Sequence, residues 1–122
     1  MARFLTPLRA EKSGEYWTVL QPLIYDSDVA CKVFIVPEGF VTDFASVPRL
    51  PLAFLLTGDS AHAAATLHDF LYSRGVVDRQ TADAVFKEAA IASGEAGWKA
   101  TLMHIGVRMG GWIAWNNHRQ AA

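Results

Sequence analysis

The side chains that could do chemistry in this sequence fall in three places. TDFASVPR sets Thr42, Asp43, Ser46 and Arg49 around Pro48, LHDFLY holds His68, Asp69 and Tyr72, and Asp83 stands in a later TADAVF. A carboxylate fixed at the end of a strand is what a general base or a metal ligand requires. A neighbouring carboxylate orients an imidazole and raises its pKa. Asp43, His68 and Asp69 are therefore the candidate catalytic residues. Asp43, His68 and Asp83 are the candidate oxygen and nitrogen ligands for a divalent metal. Arg49 could neutralise an anionic intermediate. Thr42, Ser46, Pro48 and Tyr72 complete the motifs, with Arg49, as members of a polar clamp.

Each of these residues also has a plain structural account. An Asp followed three residues on by a Ser suits an Asx or Ser/Thr turn, and Pro48 forces Val47 into an extended shape. On a helix, His68 and Asp69 point about 100° apart. They cannot grip one small target together, so one is expected to face the sheet and the other a neighbouring loop or helix. If His68 faces the TDFASVPR loop, it could pair with Asp43. Such a pair would serve as a base, a metal ligand or an inert buried hydrogen bond equally well. Asp83 reads as a first-turn acid that favours the helix dipole, within reach of the Tyr72 hydroxyl. No HExxH, paired CxxC or EF-hand loop is present, and no GxSxG or glycine-rich phosphate loop. The spacing does not suit the HD-type phosphohydrolases either. The cofactor is left open, with a divalent metal as the one candidate.

The elements that must position these groups change character midway. RFLTPLRAE, YWTVLQPLIY and ACKVFIV read as strands, with Pro7 favouring an edge. Turns are expected at Lys12–Glu15, Asp26–Asp28 and Pro37–Gly39, before a short FVTDF. Three or four such strands with short connections should pair antiparallel. From about Ser60 the period becomes helical, and Gly75 is a stop. Asp78 is a good N-cap for a second helix that buries Ala82, Val85, Phe86, Ala89 and Ala90 and ends at Ser93-Gly94. A third helix is expected from about Glu95 to Asn116, packing Trp98, Leu102, Ile105, Met109 and Trp112 into the core. His104 and Arg108 interrupt its surface and argue against a membrane-surface helix. The whole reads as one α+β domain over residues 1–122, with an N-terminal antiparallel sheet (about 1–49) against about three C-terminal helices (about 60–117).

Composition narrows the classes. A chain of 122 residues with 52% hydrophobic and 19% charged residues can bury a core without disulfides or a structural metal. The net charge is −1 and no Lys/Arg block stands out, so an electrostatic grip on nucleic acid is not indicated. No apolar run approaches the roughly 18 residues of a membrane span, and MARFLTPLRAEK lacks the apolar core of a signal peptide. The lone Cys31 lies in an apolar run and reads as a buried strand residue, compatible with a reducing compartment.

The motifs together resemble a family of small bacteriophage- and prophage-encoded proteins of unknown function. Its pattern is VPxGFxTDxASxPR, an alanine-rich HDxLY and a later ADxxF, and the likeness runs from Val36 to Ala89 through VPEGFVTDFASVPR, LHDFLY and TADAVFKEA. The resemblance implies a phage origin. It marks Thr42, Asp43, Ser46, Pro48, Arg49, His68, Asp69, Tyr72 and Asp83 as motif positions. It places the protein in the host bacterial cytoplasm or with the virion, with a phage structural protein or a host protein as partner.

Two functions follow. In one, the chain is a non-catalytic virion-associated or host-interaction module whose polar residues lock sheet to helices. In the other, it is a small hydrolase, with or without a metal, acting on cell-wall or nucleotide material through Asp43 and His68. Oligomeric state is open in both.

Overall fold

The computed structural model describes residues 1–43 and 59–121, side chains 59–61 and 121 excepted. The fold is α+β. Among the described residues six strands come first: β1 (Arg3–Phe4), β2 (Ala10–Ser13), β3 (Tyr16–Val19), β4 (Leu23–Ser27), β5 (Lys32–Val36) and β6 (Val41–Thr42). Four described helices follow: α1 (Asp59–Arg74), α2 (Arg79–Ala92), α3 (Gly97–Gly110) and α4 (Trp112–Ala121).

Among the described residues the strands form two three-stranded antiparallel sheets, β1-β4-β5 and β2-β3-β6, rather than one. Prolines explain the split. Each of the two expected long strands contains one, at Pro7 and Pro22, and a proline has no N–H to give a ladder. The Thr6 hydroxyl patches the gap by donating to Pro22 O (2.9 Å) and accepting from Ile24 N (2.9 Å). Gln21 donates its amide to Pro7 O at 3.1 Å. The chain therefore bends at one level on both strands and passes from one sheet to the other.

Turn chemistry follows the residue types. Gly14 (φ 62°) and Gly39 (φ 89°) take left-handed conformations where the chain reverses, which glycine does without a Cβ clash. Cys31 departs from the expectation of a buried strand residue. It is exposed and closes the four-residue β4–β5 loop with φ 53°. The strand starts one residue later, at Lys32, because loops of this length are built around a turn and Cys31 N bonds Asp28 O at 3.2 Å.

Asp78 caps α2 by accepting from Thr81 N at 2.7 Å. Ala82, Val85, Phe86, Ala89 and Ala90 are all buried. Glu88, also on α2, ties the helices to the sheet. Its Oε1 accepts from the Tyr25 and Ser27 hydroxyls, each at 2.8 Å, and its Oε2 from Val29 N at 2.8 Å.

The expected third helix is divided at Gly111 into α3 and α4, although i→i−4 bonds run on through it from Gly111 N to Val107 O and from Trp115 N to Gly111 O. A Cβ at Gly111 would stand 2.5 Å from the Tyr72 hydroxyl, so the glycine admits that phenol. The stripe assigned to the core is also corrected. Ala100, Met103 and Val107 are buried, whereas Trp98, Leu102, Ile105, Met109 and Trp112 face outward. α3 packs on α2, and the face it turns to the core is that of Ala100, Met103 and Val107. No helix is long and apolar enough to cross a membrane among the described residues.

Candidate functional site

α1 presents its two adjacent polar residues to opposite partners, as their angular offset requires. His68 turns to the helices. Its Nε2 lies 2.7 Å from Asp83 Oδ1, and both side chains have 0% exposure. The Tyr72 hydroxyl, one turn further along α1, donates to the same oxygen at 2.6 Å. Arg108 of α3 donates from Nη1 to Asp83 Oδ2 at 2.8 Å. Arg79 completes the cluster. Its Nε donates to the Tyr72 hydroxyl at 3.2 Å, and its Nη2 to Val107 O (2.9 Å) and Arg108 O (2.6 Å) at the end of α3, where a cation complements the helix dipole. One carboxylate thus holds three helices.

Asp83 is not a first-turn dipole acid. It lies in the second turn of α2 and points into the core. Burial pushes its pKa up, but the donors His68, Tyr72 and Arg108 outweigh burial and hold it below the usual range, so it is ionised at neutral pH. Burial pushes the His68 pKa down, against the pull of Asp83. The ring is therefore neutral at pH 7, with its Nε2–H donated to the carboxylate. Burial, followed by the Asp83 hydrogen bond, raises the Tyr72 phenol, which stays protonated.

Asp69 turns to the sheet. Thr42 of β6 donates its hydroxyl to Asp69 Oδ2 at 2.6 Å, and Thr42 and Asp69 are both buried. The remaining exposure of Asp69, 5%, opens into a cleft of about 520 Å³ between β6, α1 and α4. Half-buried Asp43 lines the same cleft, with Tyr16, Ser73, Asn117 and His118.

The sequence-predicted residues therefore divide. His68, Tyr72 and Asp83 meet in the buried cluster, while Asp43, Asp69 and Thr42 belong to the cleft side. His68 gives its Nε2 to Asp83 rather than to Asp43. Among the described residues, no three His, Cys, Asp or Glu side chains gather in a group that could hold a metal. Ser46, Pro48 and Arg49 lie outside the described residues.

Arg79, Arg108, Asn117 and His118 are among the participants that sequence reasoning does not single out. Arg79 stands four residues before Asp83, a spacing that brings side chains together on a helix, so it carried a usable signal. Arg108 was read only as an interruption of an apolar surface. Asn117 and His118 had no local signal, because they join the cleft only through the docking of α4.

An α+β domain of helices pinned through one buried carboxylate, with a polar cleft beside the pin, is the class that the fold and site define. The chain belongs to the family described as Protein of unknown function (DUF1353), which matches residues 17–107. No curated protein and no solved structure matches it.

Proposed function

We propose that this is a non-catalytic interaction module of phage or prophage origin, in which the His68–Asp83 cluster is a structural clamp. One observation carries this reading. Both side chains are fully buried, and Asp83 spends both its oxygens on donors from its own chain. A general base must reach the proton it takes, and His68 is enclosed. The motif resemblance supports a phage origin. It also supports a phage structural protein or a host protein as partner, in the host cytoplasm or on the virion.

The test is the metal content of protein purified without chelator or affinity-tag metal, beside His68→Ala and thermal melts of both. A metal-free wild type with the variant melting several degrees lower supports the clamp. Near-stoichiometric metal that is lost in a variant of unchanged melting temperature overturns it.

A second reading, a small hydrolase acting on cell-wall or nucleotide material, is favoured by one observation: Asp43 and Asp69 line one open cleft with His118. It transfers the chemistry from His68 to the cleft. Turnover of peptidoglycan or nucleotides that is lost in Asp43→Asn without loss of stability would favour it over the module.

A further inference from the structure

Helix α3 and the start of α4 are apolar on two faces. The inner face is Ala100, Met103 and Val107. The outer face is Trp98, Leu102, Ile105, Met109 and Trp112, with exposures from 46% to 74%. A solvated helix of a monomer normally keeps its outward face polar. With a fully exposed large side chain offering on the order of 150–250 Å², this outer stripe amounts to roughly 600 Å², at the top of what a monomer ordinarily shows in one patch.

The spacing is four, three, four, three, the repeat of a two-helix seam. It continues across Gly111 because that residue keeps helical backbone angles (φ −68°, ψ −17°).

We propose that this stripe pairs with the same stripe of a second copy, antiparallel, to form a two-fold symmetric dimer. Self-complementarity supports the choice. With the two-fold axis between Leu102 and Ile105, Trp98 meets Met109 of the second copy and Leu102 meets Ile105. The outer layers become sulfur–aromatic contacts. Each layer then recurs on the other side of the axis, as an isologous interface requires. Charge does not oppose the pairing. Arg108 is engaged by Asp83, and Lys99 falls beside Gly106 of the second copy rather than beside another cation. The four layered residues carry roughly 450 Å² of exposed surface in each copy, so the pair buries on the order of 900 Å², the size of a weak, concentration-dependent interface. A membrane-surface helix would carry a basic flank, and among the described residues the Lys and Arg side chains of α3 are Lys99 and Arg108. This inference does not rest on the clamp or the hydrolase reading.

Sedimentation of the full chain across concentration tests it, beside Ile105→Glu and Met109→Glu, with a far-ultraviolet melt of each. The expected result is a wild-type mass of twice 13.4 kDa at tens of micromolar, and monomers for both variants with their melts still cooperative. Two exposed positions are used so that the misfolding of one variant leaves the other decisive. A wild type that stays monomeric into the hundreds of micromolar overturns the proposal, as do variants that remain dimeric. Wild type that is monomeric alone but co-sediments with anionic phosphatidylserine vesicles, lost in Ile105→Glu, overturns it in favour of a membrane surface.

Discussion

The Thr42 hydroxyl lies 2.6 Å from Asp69 Oδ2, while the preceding residue, His68, is bonded in another direction to Asp83. Two consecutive helix residues thus fasten α1 in two directions, to β6 and to α2. The His-Asp pair inside an apolar run is explained by this division. Neither residue needs the other, and each closes one packing surface.

If the Thr42–Asp69 bond fastens β6 to α1, removing its donor should loosen that junction alone. Thr42→Val keeps the shape and removes the hydroxyl, and leaves the buried carboxylate short of a donor. A loss of about 1–3 kcal/mol is expected. A cycle with Asp69→Asn should give a coupling of about 1 kcal/mol or more, measured by urea unfolding. Additive effects would show that the bond contributes nothing of its own.

The Asp83 cluster should be the most sensitive polar site in the protein. Asp83→Ala strands the donors of His68 and Tyr72 in the core and releases Arg108. Breaking one side of a buried pair costs roughly 3–5 kcal/mol, enough to remove much of the stability of an ordinary domain. Asp83→Asn keeps the shape and should lose less, since the amide oxygen still accepts. The check is the order of the chemical denaturation midpoints, wild type above Asn above Ala.

Glu88 is the counterpart on the other sheet. Its carboxylate accepts from Tyr25, Ser27 and Val29, and the Tyr25 ring is fully buried. Glu88→Ala should cost about 1–3 kcal/mol. It should speed hydrogen exchange in the β4–β5 hairpin more than in α1, because the lost acceptor ties that hairpin to α2. Uniform acceleration across both would show that Glu88 acts on global stability alone.

What could be read in the sequence was local. The Asp78 cap, the positive-φ glycines and the buried face of α2 each rest on neighbours in the chain, and periodicity and turn chemistry carry them. What could not be read depended on choices made in three dimensions. Nothing local said that Pro7 and Pro22 would fall at one level and divide the strands between two sheets. On α3 two apolar faces competed, and the large one looked like core. The face of Ala100, Met103 and Val107 is the one turned to the core, which a count of hydrophobic residues does not reveal. The sequence allowed His68 to pair with Asp43 only on the condition that it faced the TDFASVPR loop. The acid that met His68 was Asp83, on the helix packed against it.

The same cluster sets a pH dependence whose sign is fixed by the His68 pKa. Burial places that pKa below the ordinary value near 6.5, so between the two values the unfolded chain binds a proton that the folded chain refuses. Stability then rises with pH through that window. It is fully present above about 6.5 and is lost progressively as the pH falls below it. His104 is shifted the same way, by burial and by Lys87, and adds to the slope. The lowered Asp83 pKa acts further down, where stability present above the ordinary carboxylate value is lost as the acid protonates. Unfolding free energy measured from pH 8 to pH 5 should therefore decline on the acid side in wild type. His68→Gln should start lower but decline less steeply, because residue 68 no longer titrates. A His68→Gln slope equal to that of wild type would mean that residue 68 titrates alike in the folded and unfolded chains, and a His68→Gln slope steeper than wild type would mean that the buried imidazole is protonated in the folded protein and the cluster holds an ion pair.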